Sequence, residues 1–347
     1  MDYKEFIENV KNDLPELLTG ELRNVVIDET QVNKLQGRSY QGIVITPAGS
    51  SMGVSMNMLP HLQMLNNGTP YEEVLKNLAD IITDRYAEHP DFSIDSLKNY
   101  EMVKSQLIVQ LIGHEGNEEM LQQIPHRDME DLALVYRLNI HENASGRATT
   151  LITYDMLEMY GITLEQLHQD AMESAISNEP FEIKTMAEII SELSGGIFVP
   201  EPLIPIYVAS NEKQTNGAGV IAYPGFMEEA SKLLDGNFYI LPSSVHEVIL
   251  LPENTDNSVS ELQEMVESIN ASDVSPEERL SNQVYHYDSK EKLFERADKY
   301  ESRIQKQEKG IDTDRSSVLD ALHDHQKDCA KNSRKPSPVS RSEEISL

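Results

Sequence analysis

The chain contains a single cysteine, Cys329, and no tryptophan. One thiol excludes an intramolecular disulfide, and such sparse cysteine use fits a protein kept in the reducing cytoplasm. Long apolar runs are missing too. Even Val245–Leu251 is broken by His246 and Glu247 and stops at Pro252, far short of the ~20 residues that span a bilayer. Residues Met1 to Glu8 carry acids where a secretory signal needs a basic start and an apolar core, so secretion is not expected. Positive charge is the largest deficit, because 29 Lys and Arg face 59 Asp and Glu, a formal charge of −30 over 347 residues.

That deficit is local. Residues 1–288 hold 16 basic and 47 acidic side chains, whereas residues 289–347 hold 13 and 12. Between 151 and 278 only Lys184, Lys213 and Lys232 oppose 23 Asp and Glu, a net of −20. Nucleic acids and anionic membranes are bound by Lys and Arg that displace counterions from phosphate, so direct nucleic-acid binding by the body and membrane association are disfavoured. Two readings of this surface stay open: a solvated face that maintains solubility, and a face that attracts a basic protein partner or imitates the phosphates of DNA.

With 39% hydrophobic residues, the body is expected to fold, at a length that suits two domains. Helix starts are marked by Thr or Ser followed three residues later by Glu or Gln: Thr69–Glu72, Thr163–Gln166, Thr185–Glu188, Ser258–Glu261 and Ser275–Glu278. Gly195-Gly196 marks the end of the helix after Thr185. After an N-terminal helix, Arg23–Asp28 and Gln41–Thr46 read as strands around a Gln36-Gly37-Arg38 turn. Met52, Val54, Met56 and Met58 alternate like a third strand with one buried face. Leu132 to Ile140 and Ala148 to Tyr154 read as a second hairpin.

Farther on, hairpin and helix repeat twice. Ile204–Ala209 and Ala218–Tyr223 flank Thr215-Asn216-Gly217 before a helix over Phe226–Leu234; Phe238–Leu241 and Val245–Leu251 flank Pro242-Ser243-Ser244 before a helix ending near Ile269. The pattern argues for an α+β fold in which antiparallel sheets built from β-hairpins alternate with helices. We expect an N-terminal α+β lobe at 1–195, a hairpin-helix-hairpin-helix lobe at 196–288, an amphipathic charged helix at 289–310 with Leu293, Ala297, Tyr300 and Ile304 on one stripe, and a polar, largely disordered tail at 311–347.

Three stretches carry a resemblance: Gly219 to Gly225, Asn237 to Val248 and Leu280 to Asp288, together with the Met-rich strand before Leu59-Pro60 and the Pro125–Arg137 segment. Together they resemble an uncharacterised domain-of-unknown-function family, number 5688, of gut clostridia and related Firmicutes. The resemblance covers most of residues 1–290 and implies no activity, cofactor or catalytic residue. The tail, with Ser317 to Leu322 and Lys331 to Pro338, is similar to the ends of small cargo proteins of conjugative elements, which implies a mobile-element setting.

Candidate chemistry is confined to a few places. Ser243-Ser244-Val245-His246-Glu247 brings hydroxyl, imidazole and carboxylate within five residues. In an extended strand Ser244 and His246 share a face and Glu247 takes the other, so a triad would need outside partners; the plain alternative is a hairpin turn. Tyr223, at the matching position of the preceding unit, is the neighbour a hydrolase-type site would recruit. His114, with Glu115, Glu118 and Glu119, forms a cluster without the spaced second histidine of a metal site, and His323-Asp324-His325 lies in the polar tail. Asn216-Gly217-Ala218-Gly219 leads into an expected strand, which makes it a turn and not a phosphate loop. No nucleotide-binding, nucleophile-elbow or kinase signature occurs, and no cofactor or metal is expected. Two functions lead, a macromolecule-binding or regulatory module with a basic protein partner and, as the alternative, a hydrolase using Tyr223, Ser244 and His246; a third reading is a purely structural subunit, which predicts a large exposed apolar patch and a stable oligomer. The second requires those three side chains to converge in one pocket.

Overall fold

Helix α1 (Tyr3–Leu17) forms because Phe6, Ile7, Val10 and Leu14 recur at helical spacing and are all buried, while Asp2 caps its start by accepting the Glu5 N–H at 2.8 Å. The computed structural model describes residues 1–307 apart from 33–34, 36–39, 51–52, 88–96, 144–145, 197–204, 243 and 256. Strands β1 (Val25–Val32), β2 (Tyr40–Pro47) and β3 (Val54–Asn57) follow as an antiparallel meander in that order. Val54, Met56 and Met58 are buried and Ser55 and Asn57 only partly so, the stripe expected from their alternation. Met52 and the Gln36–Arg38 turn lie outside the described residues. Helices α2 (Leu59–Asn66) and α3 (Tyr71–Ala87) close this part, and one hydrophobic cluster runs from Phe6 to Ile82.

A short helix α4 (Tyr100–Val103) leads into β4 (Leu107–Gly113), all of whose residues are buried. Helix α5 (Glu118–Leu121) and strands β5 (His126–Met129), β6 (Leu132–Asn143) and β7 (Gly146–Leu151) follow, and β6 pairs antiparallel with β4, β5 and β7. The alternation of Leu132, Leu134, Tyr136 and Leu138 does mark one face, which joins the largest hydrophobic cluster. The other face is buried as well, since Ala133 and Val135 pack with Ile112, Leu121 and Ile124. The expected second hairpin is therefore the β6–β7 pair. Its second arm stops short because Thr153 turns away to cap α6 (Tyr154–Tyr160), accepting the Met156 N–H at 3.3 Å. Thr163 caps α7 (Leu164–Asn178) in the same way, and α7 buries Leu167, Ala171 and Ala175.

The remaining elements are β8 (Phe181–Thr185), α8 (Met186–Leu193), β9 (Tyr207–Asn211), α9 (Phe226–Leu233), β10 (Phe238–Leu241), β11 (Val248–Pro252), α10 (Val259–Ser272), β12 (Tyr285–Asp288) and β13 (Leu293–Arg296). Their strands form one sheet in the order β13-β12-β10-β11-β9-β8. Thr185 and Ser258 each make the full reciprocal capping box with Glu188 and Glu261. Gly195 and Gly196, both at positive φ, end α8 as expected, with the Gly196 N–H donating to the Ser191 carbonyl at 2.8 Å. Strands β8 and β9, on either side of these glycines, are sheet neighbours, and the largest cluster spans Val103 to Tyr287.

Three local expectations are corrected. Ala218–Tyr223 is not a strand, because Gly217–Ala222 forms a buried 3₁₀ turn. A Cβ on Gly217 would lie 2.1 Å from Ser210 Oγ and 2.4 Å from the His246 carbonyl oxygen, so the backbone itself fills the space a strand's side chains would need. Ser275-Pro276-Glu277-Glu278 is a single turn and not a helix start. The Glu278 carbonyl there accepts the Val245 N–H at 2.8 Å, which takes the backbone into a tertiary bond. Leu293 stands on β13 and not on a helix, because Asp288 Oδ1 accepts the Lys290 and Glu291 N–H groups and Lys292 adopts φ 52, closing a β12–β13 hairpin.

A second compact unit begins at Glu295. Its helix, over residues 297–307, carries Arg303, which donates to Glu295 Oε1 at 2.8 Å and lies 5.4 Å over the Tyr300 ring. The stretch assigned to the polar tail, with Cys329 and His323-Asp324-His325, lies outside the described residues.

Candidate functional site

Ser244 and His246 occupy the β10–β11 connection, and Ser243 lies outside the described residues. Val245 and His246 form a bend ahead of β11 and not the start of a strand, so the alternating faces expected there do not apply. Ser244 Oγ accepts the backbone N–H of His246 at 3.0 Å, and its own N–H donates to the Glu247 carbonyl at 3.3 Å. The His246 carbonyl accepts from Ser210 Oγ at 2.8 Å. Its ring Nδ1 accepts the Asn216 N–H at 3.1 Å, which puts the ring proton of the neutral form on Nε2, 3.6 Å from Glu278 Oε1. His246 thereby fastens Asn216, held at φ 53, where the chain enters the buried 3₁₀ turn.

Tyr223 ends that turn and is nearly buried. Burial first, and the Glu179 carboxylate second, push its phenol well above the ordinary range, while Arg147 pulls the other way. Glu179 and Arg147 form a buried pair at 2.6 Å, and Asn211 Nδ2 donates to the second Glu179 oxygen at 2.9 Å. Asn211 also clasps Thr215 through both its N–H and its carbonyl. On the exposed side, Glu142 pairs with Arg147 and Lys213, and the Lys213 contact chiefly holds its carboxyl below the usual range.

Tyr223 faces an open cleft of about 490 Å³. Neither Ser244 nor His246 lines it, so the three side chains named from sequence do not share this pocket. The cleft instead joins Tyr223 to Arg127 of β5 and His168 of α7, with Met129, Tyr287 and Phe294 as apolar walls. His168 Nδ1 lies 2.9 Å from the hydroxyl of fully buried Tyr136. Burial, then Arg127, lowers the His168 pKa. Arg127 itself is paired with the exposed Glu165. At the rim, Asp128 Oδ1 lies 3.0 Å from His114 Nε2 and 3.5 Å from His126 Nε2, and Glu228 lies 3.4 Å from Lys292. The carboxylate beside His114 is thus Asp128 across the sheet, not Glu115, Glu118 or Glu119. Among the described residues no group of three or more His, Cys, Asp or Glu is arranged to hold a metal ion.

A second concavity, of about 180 Å³, is apolar. Met186 of α8, Met265 and Ile269 of α10, and Ile206, Leu241 and Ile249 form its walls. Helix α8 places Met186, Ile189, Ile190 and Leu193 at i, i+3, i+4 and i+7, yet buries none of its residues, and Leu193 is 85% exposed. Helices α8 and α10 together carry five glutamates and no lysine or arginine.

These elements define an α+β protein of helices and antiparallel sheets whose described residues include a cleft of mixed polar and apolar lining and an apolar groove. Residues 3–289 match the family of unknown function DUF5688, and the chain belongs to it. No curated protein and no solved structure matches the chain. Among the described residues no helix is long and apolar enough to cross a membrane.

Arg127 and His168 were not singled out from sequence. Arg127 stood within the Pro125–Arg137 segment that carried the family resemblance, but nothing in one sequence ties it to a histidine 41 positions later on another element.

Proposed function

We propose that this protein is a binding module for a basic, amphipathic protein segment, which seats its apolar face in the groove between α8 and α10. The observation that carries this reading is the groove itself: apolar walls and an unburied apolar stripe on α8, flanked by helices whose only charges are glutamates. An apolar face left open beside carboxylates matches a helix with Leu-type residues on one side and Lys or Arg on the other. The net of −20 over residues 151–278 steers such a partner toward this surface. Polyanions are repelled by the same field, in keeping with a cytoplasmic protein that does not itself bind nucleic acid or membrane.

Because the chain has no tryptophan, a synthetic amphipathic Lys/Leu helix bearing one tryptophan reports binding without background. Titrated with the full-length protein, its emission should shift blue and saturate, and the affinity should fall as salt rises. Met265→Asp and Leu193→Asp, both at exposed positions, should each weaken binding at least about ten-fold, since each sets a charge against apolar surface. Equal binding of a peptide with the same composition in scrambled order, or unaltered affinity in both variants, would refute the reading.

A further inference from the structure

We propose that the cleft bounded by Arg127, His168 and Tyr223 binds a small organic oxyanion, a carboxylate or phosphate carried on an apolar or aromatic body. This goes beyond the protein-binding groove and uses none of its residues.

The polar end of the cleft offers donors. Tyr136 has no exposure to water, and His168 Nδ1, at 2.9 Å, is the only partner of its hydroxyl among the described residues. A buried hydroxyl with one partner must spend its proton there, because the reverse arrangement would strand an O–H without an acceptor. Nδ1 is therefore the acceptor, and the proton of the neutral ring sits on Nε2. Protonating the ring would set an N–H against that O–H, so His168 stays a neutral donor. The Arg127 guanidinium lines the same cleft, and its charge acts on the His168 ring. Histidine N–H and guanidinium together call for an acceptor, and a guanidinium matches the two oxygens of a carboxylate or phosphate.

Among the described residues Glu165 accepts from Arg127, and no acid is bonded to His168. Asp128, nearest His114 and His126, and Glu228, met by Lys292, make no bond to Arg127 or His168 among the described residues. Arg127 is met by Glu165, a side chain 81% exposed and free to swing away. Glu165 acts as a stand-in carboxylate, showing what Arg127 accepts, and an exposed pair of this kind is exchanged at low cost. Met129 and Phe294, both part-exposed, line the same cleft, with Leu134 and Tyr287 behind them in its buried wall, which suits a ligand with a ring or chain behind its anionic head.

The test uses full-length protein, calorimetry and side-chain ¹⁵N NMR, with benzoate and phenyl phosphate as probes and benzamide as the neutral control. The unliganded protein should show His168 as the Nε2-protonated tautomer. At least one anion should bind saturably and benzamide should not, and the tighter anion identifies the head group. Arg127→Met should weaken binding at least about ten-fold, as loss of a charge-assisted bond requires. His168→Leu should weaken it, whereas His168→Gln, which keeps an N–H near the Nε2 position, should retain it. Glu165→Gln, on the exposed surface, should strengthen binding by about 1.4- to 5-fold because it removes the competitor. That variant decides the matter even if the cleft variants fold poorly. Failure of both anions to bind, equal binding of benzamide, or unchanged or weaker binding by Glu165→Gln would overturn the proposal.

Discussion

Replacing Arg147 with methionine removes the only cation among the described residues within bonding distance of Glu179, a carboxylate 4% exposed. One oxygen of Glu179 then loses a 2.6 Å charged partner and the other keeps a single neutral donor, Asn211 at 2.9 Å. A buried charge stranded in this way costs about 3–5 kcal/mol. The outward contacts of Arg147 add little, because Glu142 keeps Lys213 at 2.6 Å and exposed pairs contribute about 0–1 kcal/mol. Removing both charges, as in Arg147→Met with Glu179→Gln, leaves a neutral amide beside a thioether and should lie within about 1–2 kcal/mol of the parent. The effects must then be strongly non-additive, with a coupling of at least about 2 kcal/mol. Urea unfolding of the two single variants, the double variant and the parent, followed by far-ultraviolet circular dichroism, measures the cycle. Additive costs, or a loss below about 1 kcal/mol for Arg147→Met, would refute a tightly coupled buried pair linking Arg147 of β7 to Glu179 at the end of α7.

Gly217→Ala sets a Cβ 2.4 Å from the His246 carbonyl oxygen and 2.7 Å from the Asn211 nitrogen. Both are backbone atoms, so the turn must shift, at about 1–3 kcal/mol; an unmoved urea midpoint would contradict this packing. The pH dependence of stability carries a signature of His168. Its folded-state pKa is lowered, so below the ordinary histidine value of about 6.5 the unfolded chain binds the extra proton and stability falls as pH drops. His61, lowered chiefly by burial, adds to the same slope. His168→Gln should flatten the slope between pH 7 and 5, and equal slopes in both proteins would refute the neutral, Tyr136-bonded ring.

Local signals were legible where one residue's chemistry decides the backbone. Thr185 and Ser258 announce their helices because hydroxyl and glutamate close a ring within four residues, and Val54, Met56 and Met58 announce a strand because one side meets water. The same rule misled at Ser275, where a bond to distant Val245 overrides the local box. Val220-Ile221-Ala222 has the composition of a strand, yet the segment coils because Gly217 presses against Ser210 and His246. Of the candidate site, Tyr223 was visible as a residue and His246 as an imidazole near a hydroxyl. Their surroundings were not, since the partners of Tyr223 come from β5, α7 and β12, and the His246 ring serves a turn 30 positions earlier. Separations of that length leave no periodic trace in a single sequence.

Sheet order also sets a timetable for synthesis. The cluster from Phe6 to Ile82 can close once α3 has emerged, whereas β10 must wait for β12, which ends at Asp288. At roughly 5–20 residues per second the ~50 residues from Phe238 to Asp288 take on the order of 2–10 s. Throughout that interval β10 lacks its β12 neighbour, and Phe238 and Ile240, buried at the end, lack a finished core. The carboxylates crowded into residues 151–278 belong to this same stretch of nascent chain. Mutual repulsion between copies, strongest where the waiting strands lie, keeps growing chains apart until Tyr285–Asp288 arrives to pair with β10.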